Sequence, residues 1–167
     1  DNANYAITYV GADLTIDRRP ITVTADSLSK VYGDADPTLT FTTSNLGSGD
    51  AVTGALTRST GETVSGGPYG ITQGTVTDAN NSNYSITYVG NFLTITPRPI
   101  TVAADDKTRV ESSPDPAFTW TVTAGSVVFG DLPTGAPTRD PGETPGTYAI
   151  TRGTLGYGSN YALTFLN

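Results

Sequence analysis

The side chains able to do chemistry in this chain are mostly carboxylates, because the sequence contains no His, no Cys and no Met. Catalysis by a Ser-His-Asp triad and metal sites built from imidazole or thiolate are therefore excluded. Two glutamates, Glu62 and Glu143, are the candidates for a glycosidase pair, whose carboxyl groups must lie roughly 5–10 Å apart. They occupy equivalent places in two copies of one repeat, so we expect them a whole domain apart. We predict that the chain is not an enzyme.

Aspartates cluster in segments that we predict to be loops. Calcium takes roughly six to eight oxygen ligands, often from carboxylates in such loops. No loop carries a complete EF-hand or RTX pattern. Asp105 and Asp106 come just after the strand that follows the repeat junction, and we predict them as candidate ligands of an inter-repeat Ca²⁺ ion. The alternative interpretation is that these are solvated turn residues.

The two lysines, Lys30 and Lys107, raise the question of a covalent crosslink, since some surface stalks contain a Lys–Asn isopeptide bond. The two lysines do not occupy equivalent positions, because Arg109 matches Lys30 in the second repeat. The sequence therefore disfavours a crosslink that both repeats would share.

The elements that must position these residues are repeated along the chain. NYAITYVGADLTIDRRPITVTAD (Asn4 to Asp26) returns as NYSITYVGNFLTITPRPITVAAD (Asn83 to Asp105), with 17 of 23 positions identical and an offset of 79 residues. A third copy begins at Asn160. A fixed period indicates a tandem array of structural units. We predict a terminal hairpin of a preceding repeat (residues 1–17), repeat one (residues 18–97) and repeat two (residues 98–167, lacking its last strand).

Each repeat contains short runs in which Val, Ile, Leu, Tyr or Phe alternates with Thr, and Gly, Pro, Asn or Asp separates the runs. This pattern predicts several short strands and an all-β sandwich or barrel. We predict tandem, small, immunoglobulin-like β-sandwich repeats. The alternative is a β-grasp-like unit with one short helix, for which Asp50 is the candidate N-cap. The junction Thr96-Pro97-Arg98-Pro99 has no flexible spacer, so we expect a semi-rigid joint.

Gly-x-Tyr-x-Ile occurs once per repeat and resembles the tyrosine corner of immunoglobulin-like sandwiches. The aromatic residues that we predict in the two cores are Phe41, Tyr69, Trp120 and Tyr148. Trp120 has an alternative role as a platform on which a sugar ring could stack.

Several segments together resemble the MBG-type repeats of large bacterial surface adhesins, including the variety marked by a YG motif. The matching segments are RPITV, KVYGDADPTLTF, GD…TGALTR, GPYGITQGTV and NYSITYVGNFLTI. Repeat two departs from this pattern where Glu111-Ser112-Ser113 replaces Tyr32-Gly33-Asp34. The resemblance implies an exported, repetitive stalk or adhesin segment without catalysis.

The formal net charge is −7 and the pI is about 4.3. An acidic chain is a poor match for nucleic acid or anionic lipid, which attract basic surfaces. No apolar run approaches the ~20 residues of a membrane span. The absence of Cys fits a bacterial exported protein better than a small, disulfide-rich secreted domain. We therefore expect an extracellular location, at the cell surface or in a secreted matrix.

The first functional hypothesis is a stalk that self-assembles head to tail. The segment that we predict to be surplus would donate a strand to the incomplete repeat two of a neighbouring copy. The predicted assembly strand contains Tyr5, Ile7, Tyr9, Leu14 and Ile16, and the predicted acceptor end contains Tyr161, Leu163 and Phe165. The alternative interpretation is that truncation of a longer array of repeats produced both the surplus segment and the incomplete repeat two. The second hypothesis is an adhesive module that binds surface glycans or ice through Thr-x-Thr rows or aromatic side chains.

Overall fold

The computed structural model describes residues 4–167, and every regular element among them is a β-strand. The β-grasp alternative with a short helix is wrong, because residues 48–49 form a turn and residues 50–56 belong to no helix or strand. Repeat one contains β1 (Arg19–Ala25), β2 (Leu28–Val31), β3 (Phe41–Thr43), β4 (Thr57–Arg58), β5 (Tyr69–Thr72), β6 (Tyr84–Val89) and β7 (Asn91–Thr96). Repeat two contains β8 (Arg98–Ala104), β9 (Trp120–Ala124), β10 (Thr138–Arg139), β11 (Ile150–Thr151) and β12 (Tyr161–Leu166).

Repeat one is a sandwich of two sheets, with strand orders β3-β1-β6 and β2-β7-β5-β4. Alternate residues of each strand point to one face, and the inward residues of both sheets meet in a single core. This core consists of Ile21, Val23, Ala25, Leu56, Ile71, Val76, Tyr84 and Leu93. The predicted all-β sandwich is confirmed.

Parallel pairing distinguishes this sandwich from a simple meander. β1 runs parallel to β6, and β2 runs parallel to β7. β6 and β7 are consecutive in the chain but belong to different sheets. Our expectation of a hairpin for this sequence motif therefore needs correction for the copy in repeat one. Each of the two strands finds its hydrogen-bond partners in its own sheet, so the pair connects the two faces of the sandwich.

Repeat two reproduces the first sheet of repeat one. β12 pairs in parallel with β8, in the register that β6 has with β1, and β9 pairs with β8 on the other side. The second sheet is reduced to the two-stranded ribbon β10-β11. Among residues 4–167, none occupies the position that β7 has in repeat one. As a result, Tyr148 and Ile150 are only half-buried, whereas their counterparts Tyr69 and Ile71 are buried.

The segment before β1 forms no strand over residues 5–18. Its apolar side chains are between 72% and 88% exposed, namely Tyr5, Ile7, Tyr9, Val10, Leu14 and Ile16. The first three residues of the predicted terminal segment lie outside the described range. None of these six side chains is among the residues that pack in or against either hydrophobic core.

Candidate functional site

The Tyr32-Gly33 turn at the end of β2 lies against repeat two. Gly33 has a φ of +85°, and a Cβ atom placed on it would lie 2.6 Å from Cγ2 of Val128. Both the left-handed backbone and the close approach require glycine at this position. The YG motif is therefore part of the contact between the repeats.

The Tyr32 side chain is buried in this contact. Its ring meets the rings of Phe129 and Tyr161 edge to face, with centroids 5.6 and 5.5 Å apart. Its hydroxyl donates a hydrogen bond to Oδ2 of Asp131 at 2.9 Å, and the hydroxyl of Tyr161 donates to the same oxygen at 2.8 Å. Burial, together with the Asp131 charge, raises the pKa of both tyrosines. One carboxylate thus joins a tyrosine from each repeat.

Polar contacts surround this aromatic cluster. Nε of Arg98 donates to the carbonyl oxygen of Tyr32 at 2.7 Å, and its guanidinium also forms an ion pair with Asp34. The backbone N–H of Val64 donates to the side-chain oxygen of Asn160 at 2.9 Å. We call this contact between the repeats, with its aromatic cluster and the polar contacts around it, the joint. The buried residues of the joint are Tyr32, Tyr69, Ile95, Ile100 and Tyr161. The repeats share a hydrophobic core here, in addition to the covalent link through Pro97.

A related arrangement exists at the opposite end of repeat one, around Tyr84. Its hydroxyl donates to Asp50 at 2.5 Å and accepts from the N–H of Gly47 at 3.0 Å. In repeat two, Tyr161 has the same partners in Asp131 and Val128. Gly47 and Ser48 stand where repeat two has Val128 and Phe129. This end therefore lacks the apolar surface that receives Tyr32 in the joint.

Each repeat also contains a cluster of four charges. In repeat one, Nζ of Lys30 contacts Asp36 at 2.6 Å and Glu62 at 2.5 Å, and Arg58 pairs with the same two carboxylates. The Lys30 side chain is only 5% exposed. Repeat two reproduces the cluster with Arg109, Asp115, Arg139 and Glu143. Glu62 and Glu143 thus belong to separate clusters, each paired with cations of its own repeat.

These pairings keep every member of the cluster in repeat one charged. The Arg58 guanidinium lowers the pKa of Asp36 to about 2, and the Lys30 ammonium, with Arg58, lowers the pKa of Glu62. Burial alone would lower the pKa of Lys30, but the two carboxylates outweigh it and raise that pKa. A protonated amine is not a nucleophile, and an ionised carboxyl group is not a general acid. The arrangement links the loops that it joins, and it does not favour amide formation at the protonated Lys30.

The Gly-x-Tyr-x-Ile motifs lie next to these clusters. The hydroxyl of Tyr69 donates to the carbonyl of Thr63 at 2.8 Å, and that of Tyr148 donates to the carbonyl of Thr144 at 2.8 Å. This is the backbone contact that defines a tyrosine corner. Arg58 and Arg139 each stack over the tyrosine of their own repeat, with 5.5 Å from Cζ to the ring centroid. Cation–π contact therefore links each corner to its charge cluster.

The predicted calcium ligands are not brought together with further acidic residues. Asp105 accepts a hydrogen bond from the Thr119 hydroxyl at 2.5 Å, as its counterpart Asp26 does from Thr40 at 2.6 Å. Within residues 4–167 there is no group of three or more carboxylate, imidazole or thiolate side chains that could hold a metal ion. Calcium binding at Asp105 and Asp106 stays a prediction.

The remaining predicted residues lie on edges of the two sandwiches. Phe41 is half-buried, packs against the core of repeat one and lies opposite Ala25, and Trp120 lies at the equivalent position opposite Ala104. In the predicted acceptor end, Tyr161 is buried in the joint, while Leu163 and Phe165 are half-buried along β12. These three residues are thus already engaged within their own chain.

Sequence reasoning missed Asp131, Arg98 and the two charge clusters. Asp131 and Arg98 make contacts between the repeats, and no local pattern in the sequence indicates such contacts. One signal was present for the clusters. Asp36, Arg58 and Glu62 recur unchanged in type as Asp115, Arg139 and Glu143, and Arg109 preserves the positive charge of Lys30. Four charges kept in both copies, in a chain where only 15% of residues are charged, indicate a shared contact.

The fold and the joint define a structural tandem-repeat protein with two β-sandwich units that share an interface. The family model described as MBG domain (YGX type) matches residues 21–94 and residues 100–167. The chain belongs to this family and carries two of its domains. Comparisons with curated proteins and with solved structures gave no match. Residues 4–167 contain no apolar helix of membrane-spanning length.

Proposed function

We propose that this chain is a non-catalytic stalk segment of an exported bacterial surface adhesin or extracellular filament. The observation that carries the proposal is the joint. A stalk must hold successive units in a fixed orientation relative to one another. Rotation at this joint would break the edge-to-face ring contacts of Tyr32 and expose to water the hydrogen bond between its hydroxyl and Asp131. Buried aromatic contacts and charged hydrogen bonds both oppose such rotation.

The chemistry of the surface supports a non-catalytic role. A shallow depression of about 410 Å³ in repeat two is lined by Asp115, Phe118, Arg139 and Glu143, among others. Three carboxylates line it, and two of them, Asp115 and Glu143, are paired with Arg109 and Arg139. The cationic partners of Asp115 and Glu143 lower the pKa of both carboxyl groups, which weakens them as general bases.

The stalk proposal is tested by measuring the distance between the repeats. Because the chain has no Cys, spin labels can be attached at Thr42→Cys and Thr121→Cys, on exposed positions of β3 and β9. We expect a narrow distance distribution in the parent chain and a broad one after Tyr32→Ala. Phe92→Ala, which removes a half-exposed ring outside the joint, should keep the narrow distribution. A broad distribution in the parent chain would contradict a stiff stalk.

We also propose that such segments associate head to tail. Leu14 and Ile16 support this, since each is 88% exposed and each matches a core residue of repeat one. Light scattering and negative-stain microscopy, with and without chelator, provide the test. Filaments or a mass that rises with concentration support assembly, and loss of assembly with chelator would indicate Ca²⁺. A monomer at every concentration would contradict assembly and leave the stalk proposal intact.

A glycan- or ice-binding module is the second candidate. The observation in its favour is a row of exposed threonines, Thr119, Thr121 and Thr123, which runs into and along β9 beside the half-buried Trp120. A glycan array and an ice-affinity assay separate this function from a spacer. Binding that is lost in Trp120→Ala, without loss of folding, would support it.

A further inference from the structure

We propose that the loop of residues 125–131 in repeat two selects the domain that precedes it, by accepting a Tyr-Gly-Asp turn and rejecting a Glu-Ser-Ser turn. The inference rests on the proposed stalk, because the loop is part of the joint. It goes beyond the stalk, since a stiff joint does not by itself require one particular kind of neighbour.

The chain contains two turns of the same backbone shape. Tyr32-Gly33-Asp34 follows β2, and Glu111-Ser112-Ser113 occupies the corresponding place in repeat two. In each turn the N–H of the third residue donates to the carbonyl of the residue before the turn, at 3.0 Å in repeat one and 3.1 Å in repeat two. The middle residues, Gly33 and Ser112, both have a left-handed φ, +85° and +64°. Because the shape is kept while the side chains change, any selection between the two turns must act on the side chains.

Each residue of the Tyr32-Gly33-Asp34 turn makes a contact that the Glu-Ser-Ser turn could not make. The Tyr32 hydroxyl donates to Asp131, whereas a glutamate here would bring a second negative charge to that carboxylate. Gly33 leaves room for Val128, whereas serine would carry a Cβ atom 2.6 Å from its Cγ2. Asp34 forms an ion pair with Arg98, which serine would leave without this partner. The joint thus combines attraction of one turn with repulsion of the other, as specific recognition requires.

The loop that receives the turn is longer and more apolar than its counterpart in repeat one. Ten positions separate Thr121 from Asp131, whereas eight separate Thr42 from Asp50, and the two threonines occupy equivalent places in β9 and β3. The four residues before the aspartate are Val-Val-Phe-Gly in repeat two and Leu-Gly-Ser-Gly in repeat one. Both repeats keep the aspartate and its hydrogen bond from a tyrosine. The apolar residues of the loop are therefore the part that is specific to the joint.

Phe129 has a conformation that is costly unless the joint uses it. Its φ is +57°, in the left-handed region that bulky residues rarely adopt, and its side chain is 71% exposed. Strained backbone is typically retained where a contact depends on it. The ring of Phe129 meets the ring of Tyr32 edge to face, with centroids 5.6 Å apart. Phe129 is therefore the residue of the loop that most directly distinguishes a tyrosine in the turn from another side chain.

Selection of this kind would fix the order of domains in an array. A domain with the Tyr-Gly-Asp turn would dock on a following domain that has the Val-Val-Phe-Gly-Asp loop. A domain with the Glu-Ser-Ser turn would not dock on such a loop, and a loop with Leu-Gly-Ser-Gly would lack the apolar surface that covers the tyrosine ring.

The first test gives repeat one the turn of repeat two, in the full chain. Tyr32→Glu, Gly33→Ser and Asp34→Ser are combined, and repeat two shows that these residues adopt the shape of the turn. With the spin-label pair between the repeats described above, we expect loss of the narrow distance peak. A label pair on the two sheets of repeat one, at Thr42→Cys and Thr94→Cys, should keep a narrow peak and so show that repeat one remains folded.

The reciprocal exchange is the matched control. Glu111→Tyr, Ser112→Gly and Ser113→Asp give repeat two the turn of repeat one, at exposed positions outside the buried part of the joint. The narrow peak between the repeats should persist. Its loss in both exchanges would show that the changes act without regard to the loop, and would overturn the inference.

A second test changes the loop. Phe129→Gly removes the ring and at the same time relieves the left-handed strain, so it should not impair the fold of repeat two. We expect loss of the narrow peak between the repeats, while the fluorescence of Trp120, the single Trp of the chain, still reports a folded repeat two. Leu132→Ser is the control, because Leu132 is 81% exposed and lies beside the loop. A narrow peak in both variants would overturn the role of Phe129 in selection.

The repulsive part of the selection is tested at Asp131. In the parent chain, Asp131→Asn weakens the acceptor of the Tyr32 hydroxyl and should reduce the narrow peak. In a Tyr32→Glu background, the same change removes a like charge and supplies an amide donor, so it should restore part of the peak. A reduction in both backgrounds would overturn the inference.

The outcomes separate this inference from the proposed function. A narrow peak in the parent chain that persists after the exchange of the turn in repeat one would overturn the selection and leave the stiff stalk intact. A broad distribution already in the parent chain would contradict the stalk, and the selection with it.

Discussion

The hydroxyl of Tyr32 donates a hydrogen bond of 2.9 Å to the carboxylate of Asp131, from one repeat to the next and across 99 residues of sequence. The same carboxylate oxygen accepts from Tyr161. Since a hydrogen bond to a charged acceptor is stronger than one between neutral groups, this carboxylate fixes the position of both tyrosine rings. The two domains are thereby connected by a specific contact and not merely by adjacency in the chain.

Removal of this carboxylate should loosen the joint. Asp131→Ala removes the carboxylate acceptor of two tyrosine hydroxyls, of which Tyr161 keeps only a longer contact of 3.3 Å to the carbonyl of Val128. We expect a loss of roughly 2–3 kcal/mol in the free energy of unfolding, measured by urea denaturation. Asp50→Ala is the matched control, because Asp50 accepts from a single tyrosine, Tyr84, within repeat one. Its effect should be smaller, and it should leave the distance between the repeats unchanged. An equal loss in both variants would argue against a special role of Asp131.

Gly33 should tolerate no side chain. Gly33→Ala combines a φ of +85° with a Cβ atom 2.6 Å from Val128, so the joint must open to accommodate it. Gly49→Ala is the control, because Gly49 has a φ of +80° but a Cβ atom placed on it would meet nothing within 4 Å. Left-handed strain costs about 1 kcal/mol in each variant. If Gly33→Ala lowers the melting temperature more than Gly49→Ala does, the difference measures the contact with Val128. Equal melting temperatures of the two variants would show that this contact contributes nothing to stability.

The joint should weaken at high pH. Burial raises the pKa of Tyr32 and of Tyr161 above the ordinary value of 10.0. The folded state therefore disfavours the phenolate, and the stability that depends on neutral tyrosines is complete below pH 10 and falls as the pH rises past it. We expect the distance distribution between the repeats to broaden above about pH 10. Tyr32→Phe, which cannot ionise at this position, should show less of this broadening than the parent chain.

The charge clusters should lose their contribution in acid. The pKa of Asp36 is lowered to about 2, mainly by Arg58, and the pKa values of Glu62, Asp115 and Glu143 are also lowered by their cationic partners. Their stabilising effect is present above the ordinary carboxyl pKa of about 4 and declines as the pH falls towards 2. The effect should be modest, because most of these carboxylates are more than a third exposed and water screens them. Urea denaturation at pH 7 and pH 3 measures it, and Asp36→Asn should reduce the difference.

Lys30 should remain a free amine. Its two carboxylate partners and its raised pKa hold it protonated. We expect the intact mass of the purified chain to equal that of its sequence, whereas an amide bond to Asp36 or Glu62 would lower it by one water. Lys30→Arg should leave stability nearly unchanged, because Arg109 makes the same contacts in repeat two. A chain that is one water lighter would contradict the interpretation as an ion pair.

The repeated strands, the tyrosine corners and the all-β class could be predicted because each has a local signature. Ile and Val alternate with Thr or Ala in β1 and β8, and Asp follows each run. Which strands pair could not be predicted, since alternation is the same for β6 and β7 whether they form a hairpin or lie in separate sheets. The partners of Asp131 were hidden for a related reason. Tyr32 and Tyr161 meet only after both sandwiches have formed, and no spacing in the sequence encodes that meeting.

The parallel pairing of β1 with β6 has a mechanical consequence. Six consecutive residues of β1, from Arg19 to Thr24, are in register with β6, and β2 and β7 are paired in the same sense in the other sheet. Tension along the chain enters a repeat at the start of β1 and leaves it at the end of β7. Neighbouring strands are then sheared along their length. The backbone hydrogen bonds between two paired strands must therefore break together and cannot break one at a time. A repeat built in this way resists extension by a force applied to its two ends.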